Sequence, residues 1–316
     1  MKLGTALIQG RQQVAVLIFN DELYDANALM TALGDSAMQP LGRIAGVRGL
    51  STIDLIENES TFLLLAQALE KEPGSFANAR LVEKECRLIA PIPRPAKNVF
   101  CLGRNYADHI QEDNDSRGMN TELPKYPQFF TKPPTSVIGP DEAIVLDEKV
   151  TRRLDYEVEL AVVIGRGGRD ITAANAMDHV FGYTVLNDVT ARDLQRRHDQ
   201  WFKGKALDTS CPMGPFIVHA SSVVDPHDLR IQLYVNDELR QDANTSSMIF
   251  KIPQIIESLS AGLTLEPGDI IATGTPSGVG YAMDPRQFLK AGDLIRCHVE
   301  KVGTVENVVR PAPSSD

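Results

Sequence analysis

The chain has 316 residues, of which 43% are hydrophobic and 23% charged, and this composition is that of an ordinary globular protein. Its formal net charge of −10 leaves no basic excess to neutralise phosphates, which argues against non-specific nucleic-acid binding. No apolar run reaches the roughly 18 residues of a membrane span, and the scattered cysteines show no CxxC spacing. We therefore expect a cytoplasmic protein with reduced thiols and with neither nucleic acid nor membrane as a partner.

The first part of the chain predicts a small accessory domain. An apolar strand pattern at residues 14–19 is followed by helical patterns within residues 51–70, with few side chains suited to chemistry. Alternating prolines in residues 90–95 enforce an extended segment of the kind that separates domains. We expect a small N-terminal α/β domain at residues 1–89 and a catalytic domain at residues 90–316.

The second part of the chain predicts a strand-rich α+β fold. Strand-like runs separated by Gly, Pro and Asn or Asp lie at residues 98–102, 160–164, 180–185, 216–219, 230–235, 269–272 and 294–299. They lack the regular strand–helix alternation of a doubly wound or barrel fold. Thr190, followed three residues later by Asp193, predicts the start of a helix that runs through His198. Residues 112–125 are polar and contain Gly and Pro, which predicts a mobile loop.

Three acids alternate with apolar residues in a strand-like segment. On a continuous strand Asp155, Glu157 and Glu159 would share one face, about 6–7 Å apart, and would raise one another's pKa values. A divalent cation relieves that repulsion, and oxygen ligands at this spacing suit Mg²⁺ or Mn²⁺. The alternative is a solvated strand face.

A further acid lies between a strand-like run and a predicted helix. Asp188 is placed to complete a metal site with Glu157 and Glu159, and the alternative is that it caps the helix. On that helix Arg192 and Gln195 are three residues apart and share a face, where they can hold a carboxylate. The alternative for Arg192 is a solvated surface side chain.

Other polar residues suit proton transfer or anion binding. His109 and Glu112 meet on a helical turn as a pair able to deprotonate a water, although a lone His is more often structural. Lys205 lacks the upstream Gly of a phosphate-binding loop, and it either stabilises an enolate or carboxylate or lies on the surface. The Gly-rich residues 273–280 follow a strand, and their amides and hydroxyls can cradle a carboxylate, although Gly-rich hairpins are common.

Five motifs in fixed order, GRNYADH, DYEVEL, NDVTARDLQ, GKALDTSCPMGP and TGTPSGVG, resemble the fumarylacetoacetate hydrolase family over about residues 90–305. The resemblance implies a mixed β-sandwich roll, a homodimer and a bound Mg²⁺ or Mn²⁺. It implies metal ligation by Glu157, Glu159 and Asp188, with Asp155 in a supporting role and His109 with Glu112 as the acid–base pair. Contacts to a 2-oxo acid substrate are implied for Arg104, Tyr106, Arg192, Gln195, Lys205 and Thr275.

Within the family the chain looks most like the branch of oxaloacetate decarboxylases and acylpyruvate hydrolases. The leading hypothesis is metal-dependent cleavage of a C–C bond in a small 2-oxo acid through a pyruvate enolate, with Lys205 supporting the oxyanion. The second hypothesis is a tautomerase or isomerase that uses the same site. The third is a metabolite-binding homologue without turnover, which is less expected because every acid, base and ligand position is filled.

Overall fold

The computed structural model describes residues 1–10, 12–34, 49–118 and 122–313. The helices are α1 (Ala26–Leu33), α2 (Thr52–Glu57), α3 (Glu59–Lys71), α4 (Ala107–Arg117), α5 (Arg192–Arg197), α6 (Phe202–Lys205) and α7 (Ile252–Ser260). The strands are β1 (Lys2–Ile8), β2 (Gln12–Phe19), β3 (Glu22–Asp25), β4 (Cys86–Ile89), β5 (Val99–Gly103), β6 (Gln128–Lys132), β7 (Val137–Ile138), β8 (Ile144–Leu146), β9 (Leu154–Asp155), β10 (Val158–Ile164), β11 (Val180–Asn187), β12 (Thr190–Ala191), β13 (Cys211–His219), β14 (Arg230–Val235), β15 (Glu238–Asn244), β16 (Ile270–Ala272), β17 (Leu294–Val299) and β18 (Gly303–Pro311).

One large sheet dominates the fold. Its strands lie in the order β3-β2-β1-β13-β11-β10-β16-β5-β6, with β4 paired to β1 and β7 to β13. A second sheet has the order β15-β14-β17-β18-β8, and β9 pairs with β12 as a short ribbon. Most pairs are antiparallel, but β16 runs parallel to β5, β13 to β7 and β18 to β8. This mixed, strand-rich architecture confirms the predicted α+β fold class.

Strand β10 is buried on both faces of the large sheet, which explains its uninterrupted apolar sequence from Leu160 to Ile164. Leu160 and Val162 pack into a core that also contains residues of β14, β17 and β18. Ala161 and Val163 face the opposite core, which is covered by the N-terminal helices. The strand that leads into the candidate site is therefore held from both sides.

The N-terminal residues share the large sheet with the later part of the chain. Strand β1 pairs antiparallel with β13, with Leu3 opposite Ile217. Helix α3 packs across this junction, and the ring of Phe62 lies 5.3 Å from Phe181 and 5.5 Å from His219, measured between centroids. The division into an N-terminal domain and a catalytic domain at residue 89 stays a prediction.

The local predictions for two polar segments need correction. Residues 112–117, predicted as part of a mobile loop, belong to helix α4, which ends at Gly118 in the left-handed conformation (φ 63°). Residues 119–121 of that predicted loop lie outside the described part of the chain. Thr190 lies in β12 and donates to the Asp188 carbonyl (2.8 Å) instead of capping a helix, so α5 begins two residues later and ends before His198.

Two further observations concern the cysteines and the apolar character of the helices. All four cysteines are free thiols, as Cys86, Cys101, Cys211 and Cys297 form no disulfide. Among the described residues, no helix combines the length and the apolar character needed to span a bilayer.

The packing of α3 predicts that the N-terminal residues contribute directly to global stability. Phe62 is fully buried, so Phe62→Ala should lower the free energy of unfolding by about 3–5 kcal/mol in a urea titration. Leu64 on the same helix is 46% exposed, and Leu64→Ala should change that free energy by less than about 0.5 kcal/mol. Equal effects of the two substitutions would contradict this packing.

Candidate metal and substrate site

Three buried carboxylates converge at the start of β10. Ligand oxygens of Glu157, Glu159 and Asp188 all lie within 4.8 Å of one another. The predicted continuous strand is wrong in detail, because β9 ends at Asp155 and β10 begins only at Val158. In the break, the Asp188 amide donates to the Glu157 carbonyl (2.8 Å), which brings the end of β11 against the start of β10.

Asp155 lies outside this cluster and holds the side chain of Arg192 in position. Its Oδ2 accepts a hydrogen bond from Arg192 Nε (2.8 Å), while the amides of Gly280 and Tyr281 donate to its two oxygens (2.9 and 3.0 Å). The alternation of acids in the sequence therefore corresponds to two different roles. Glu157 and Glu159 belong to the carboxylate cluster, and Asp155 holds Arg192 in place.

Buried cations surround the cluster. Lys205 Nζ donates to Glu157 Oε2 (2.7 Å) and to Asp188 Oδ2 (2.6 Å). Lys132, fully buried at the end of β6, donates to Asp188 Oδ1 (2.8 Å). Arg192 Nη1 lies 2.7 Å from Glu157 Oε1. Lys132 was not among the predicted site residues, because one lysine beside prolines carries no pattern that distinguishes it from a surface residue.

Glu159 makes no ion pair with any side chain in the described ranges. Its Oε2 accepts a hydrogen bond from the Gly274 amide (2.7 Å). Burial, together with the charges of Asp188 and Glu157, raises the pKa of Glu159 well above its ordinary value. Burial also disfavours the charge of Glu157, but Lys205 and Arg192 outweigh it and hold the pKa of Glu157 at about 2.

The charges of this buried group do not balance. Its four carboxylates face three cations, so one negative charge remains when all are ionised; they are Asp155, Glu157, Glu159 and Asp188 against Lys132, Arg192 and Lys205. A divalent cation favours several close carboxylate oxygens and would remove the repulsion that raises the pKa of Glu159. The donor set, made only of carboxylates, therefore fits a hard divalent metal ion.

A cavity of about 340 Å³ leads from these carboxylates to the surface. It is lined by Leu102, Gly103, Arg104, His109, Asp113, Phe130, Glu157, Glu159, Arg192, Gln195, Arg196, His198, Trp201, Lys205, Thr275 and Tyr281. Glu157 and Glu159 lie at its buried end, whereas Arg196 and His198 are exposed at its rim. The volume is at the lower end of the range for small-molecule sites.

Most of the predicted site residues meet in this cavity. Those on its wall are Arg104, His109, Glu157, Glu159, Arg192, Gln195, Lys205 and Thr275. Asp188, Glu112 and Tyr106 do not line it. Asp188 and Glu112 each contact a wall residue, but the buried hydroxyl of Tyr106 has no hydrogen-bond partner in the described part of the chain.

Helix α4 presents the His–Glu pair to the cavity. His109 Nδ1 lies 3.4 Å from Glu112 Oε2, and Glu112 Oε1 accepts a hydrogen bond from the Gly278 amide (2.9 Å). Because His109 lines the cavity and Glu112 lies behind it, the carboxylate can orient the imidazole without contacting a ligand.

The Gly-rich segment cradles carboxylates, as its sequence predicted, but they are those of the protein itself. Its amides bind Glu159 through Gly274 and Glu112 through Gly278. Both glycines have left-handed backbone angles (φ 98° and 102°), which favour glycine. A Cβ at Gly278 would also lie 2.0 Å from the Arg240 carbonyl oxygen. The segment therefore fixes both Glu159, which belongs to the carboxylate cluster, and Glu112, which belongs to the His–Glu pair.

Two cationic side chains retain the capacity to bind an anion. Arg192 is 2% exposed, and its Nη2 has no hydrogen-bond partner within the described ranges. A buried unpaired N–H is costly, so an acceptor from a ligand in the cavity would be stabilising there. Burial lowers the pKa of Lys205, but Asp188 and Glu157 outweigh that effect and raise it, so Lys205 stays protonated.

Two cavity residues that were not predicted could have been found from their helical spacing to predicted ones. Asp113 follows His109 by four residues, and Arg196 follows Arg192 by four, so each shares a helix face with a predicted site residue. Tyr281 had no such signal. Its ring lies under the guanidinium of Arg192, 4.4 Å from the carbon to the ring centroid.

Comparison with known proteins agrees with this architecture. Residues 98–310 match the family model described as fumarylacetoacetate (FAA) hydrolase C-terminal. The chain is 44% identical over 316 residues to the oxaloacetate tautomerase YisK of Bacillus subtilis, covering 98% of this chain and 100% of the relative. It is 46% identical over 256 residues to the human mitochondrial oxaloacetate tautomerase FAHD2A, covering 78% and 79% of the two chains.

A solved structure extends the likeness to the whole fold. Maleylpyruvate hydrolase from Sphingobium sp. SYK-6, in complex with manganese(II) ion and pyruvate, superposes with a TM-score of 0.74 at 33% identity. The alignment covers 99% of this chain and 100% of that one. The family model spans more than half of the sequence, and the relatives align over most of their length. The chain therefore belongs to the fumarylacetoacetate hydrolase family of enzymes.

Proposed function

We propose that the protein is a divalent-metal-dependent tautomerase that interconverts the keto and enol forms of oxaloacetate or a closely similar 2-oxo acid. The observation that carries this proposal is the placement of His109 on the wall of one small cavity whose buried end holds the carboxylate cluster. The similarity to relatives named oxaloacetate tautomerase favours proton transfer over the C–C cleavage that the sequence analysis placed first.

The metal would be held by Glu157, Glu159 and Asp188, and both Mg²⁺ and Mn²⁺ accept these ligands. When bound, it would supply Lewis-acid stabilisation of the negative charge that develops on the 2-oxo group. The raised pKa of Glu159 and the unbalanced buried charge support a cation at this place.

The protein side chains would perform binding and proton transfer. Arg192, through its unpaired Nη2, and Gln195 would orient the substrate's C1 carboxylate. His109 would take a proton from C3 and return one to the 2-oxo oxygen, so it ends the cycle unchanged. Glu112 would hold the imidazole during both transfers. Lys205, which stays protonated, would add positive charge beside the developing oxyanion.

Cleavage of a C–C bond is the second candidate function, supported by the similarity to maleylpyruvate hydrolase. The same cavity and the same His109–Glu112 pair would serve it, with water as the reactant that His109 activates. A screen of oxaloacetate and acylpyruvates separates the two functions. Tautomerisation leaves the carbon skeleton intact and yields no pyruvate. Decarboxylation yields pyruvate with CO₂, and hydrolysis yields pyruvate with a second acid.

Several further properties are proposed from the sequence and from the family resemblance. The protein would act as a homodimer in the cytoplasm, and residues 1–89 would form an accessory part attached to the catalytic residues 90–316. Size-exclusion chromatography with light scattering tests the dimer.

The uncompensated charge of Glu159 predicts whether its removal raises or lowers the stability of the metal-free protein. Glu159→Gln keeps an acceptor for the Gly274 amide but removes the repulsion, so the metal-free protein should become more stable by about 1 kcal/mol. Mn²⁺ should raise the melting temperature of the wild type and should no longer raise that of the variant. Thermal unfolding with and without Mn²⁺ measures both effects.

The control for this experiment is Glu148→Gln, since that side chain is 69% exposed. Glu148→Gln should match the wild type both in stability without metal and in its response to Mn²⁺. A Glu159→Gln protein that is less stable without metal and still stabilised by Mn²⁺ would contradict the assigned role.

The role of His109 predicts a loss of proton transfer. His109→Asn should lower kcat for enol-to-keto conversion of oxaloacetate by about 10²–10⁴-fold, followed through the ultraviolet absorbance of the enol. Asp108→Asn on the same helix is the control, because Asp108 is exposed and does not line the cavity. Wild-type kcat in His109→Asn, or an equal loss in Asp108→Asn, would refute the assignment.

A further inference from the structure

One buried glutamine connects the second sheet to the candidate site. Gln241 lies on β15 and is 1% exposed. Its Oε1 accepts a hydrogen bond from the Val158 amide (3.0 Å), and its Nε2 donates to the Thr275 hydroxyl (2.8 Å) and to the Pro276 carbonyl (2.8 Å). The carbonyl oxygen and both amide hydrogens of this side chain are therefore engaged.

The residue whose amide Gln241 binds lies between two candidate metal ligands, Glu157 and Glu159. Strand β16, which borders β10, does not extend as far as Val158. Beyond the end of β16, the amide of Val158 is bound by Gln241 and its carbonyl by the Thr275 hydroxyl (2.9 Å). Buried backbone groups need hydrogen-bond partners, and here two side chains take the place of a neighbouring strand. The orientation of the backbone between the two acids therefore depends on these side chains.

The same glutamine holds the Gly-rich segment, which orients acids of both the cluster and the His–Glu pair. The segment donates one amide to Glu159 and another to Glu112. The carbonyl of Arg240, which precedes Gln241 on β15, lies so close to Gly278 that a Cβ there would be 2.0 Å from its oxygen. Two successive residues of β15 thus contact the segment, one through its backbone and one through its side chain.

We propose that Gln241 is a positioning residue of the candidate site. It fixes the start of β10 to the Gly-rich segment and thereby sets the geometry of the carboxylates that would hold the metal ion. Gln241 does not line the cavity, so it acts through Val158 and Thr275. This inference rests on the proposed function, since the metal site is part of that proposal.

The test measures metal affinity in a variant that keeps the volume of the side chain. Metal-free wild type and Gln241→Met are titrated with Mn²⁺, and the free ion is followed by its electron paramagnetic resonance signal. Methionine matches glutamine in length but cannot replace its three hydrogen bonds. Because groups that orient metal ligands contribute strongly to affinity, the dissociation constant of Mn²⁺ should rise by about 10- to 100-fold.

A second variant covers the case in which Gln241→Met does not fold, as judged by circular dichroism. Gln241→Asn keeps a polar amide, but its shorter side chain cannot reach both Val158 and Thr275. The dissociation constant of Mn²⁺ should rise in this variant as well. A folded Gln241 variant that binds Mn²⁺ as tightly as the wild type overturns the positioning role.

Gln232→Met is the matched control. Gln232 lies on the neighbouring strand β14 and is 8% exposed, and its amide donates to the Tyr234 hydroxyl (3.1 Å) rather than to the Gly-rich segment. Its substitution should leave the dissociation constant of Mn²⁺ within about twofold of the wild-type value, because it is not bonded to the site. Equal increases in Gln232→Met and in the Gln241 variant would show a general effect of lost stability and would overturn the proposal.

Amide hydrogen exchange distinguishes failure of this inference from failure of the proposed metal site. If the wild type binds no Mn²⁺, the metal part of the proposed function fails, and Gln241 is judged on the metal-free proteins. Amides in residues 154–160 and 273–281 should then exchange about tenfold faster in Gln241→Met than in the wild type, and at the wild-type rate in Gln232→Met. Unchanged exchange of both segments in Gln241→Met would overturn the positioning role.

Discussion

The confinement of three carboxylates within 4.8 Å of one another, away from water, is the constraint on which the rest of this structure depends. Charges of one sign at this distance repel strongly in a low-dielectric interior, and each must be compensated or neutralised. Lys205 bridges two of them, and Lys132 and Arg192 each bind one. Because Arg192 is shared with a fourth buried acid, Asp155, the four carboxylates carry one more charge than the three cations. A site with such a deficit is costly for stability and typical of a centre that binds a cation.

The backbone supports the same arrangement. One glycine-rich segment donates amides to Glu159, to Glu112 and to Asp155, so three acids with different tasks are fixed by a single turn. Donors that are already oriented need no reorganisation when charge develops during a reaction. Strand β10, buried on both faces, anchors the opposite side of the site.

The sequence predicted most of what depends on local pattern. The strand-rich fold class followed from apolar runs and turn residues, and the meeting of His109 with Glu112 followed from helical spacing. Contacts between distant segments had no such signal. Lys132 enters the site from β6, and Tyr281 enters it from the turn after the Gly-rich segment. Each contacts residues that lie 50 or more positions away in the sequence, and these contacts form only when the chain folds. The break between β9 and β10 was also invisible, because a strand pattern continues through it.

Binding of a divalent metal ion by the carboxylate cluster is tested most simply by direct titration. Equilibrium titration of metal-free protein with Mn²⁺, followed by the electron paramagnetic resonance signal of the free ion, counts the sites without any assay of turnover. One Mn²⁺ bound per chain, displaced by Mg²⁺ and absent from Glu157→Gln, is the predicted result. A wild-type protein that leaves all Mn²⁺ free at millimolar concentration would show that the cluster is not a metal site.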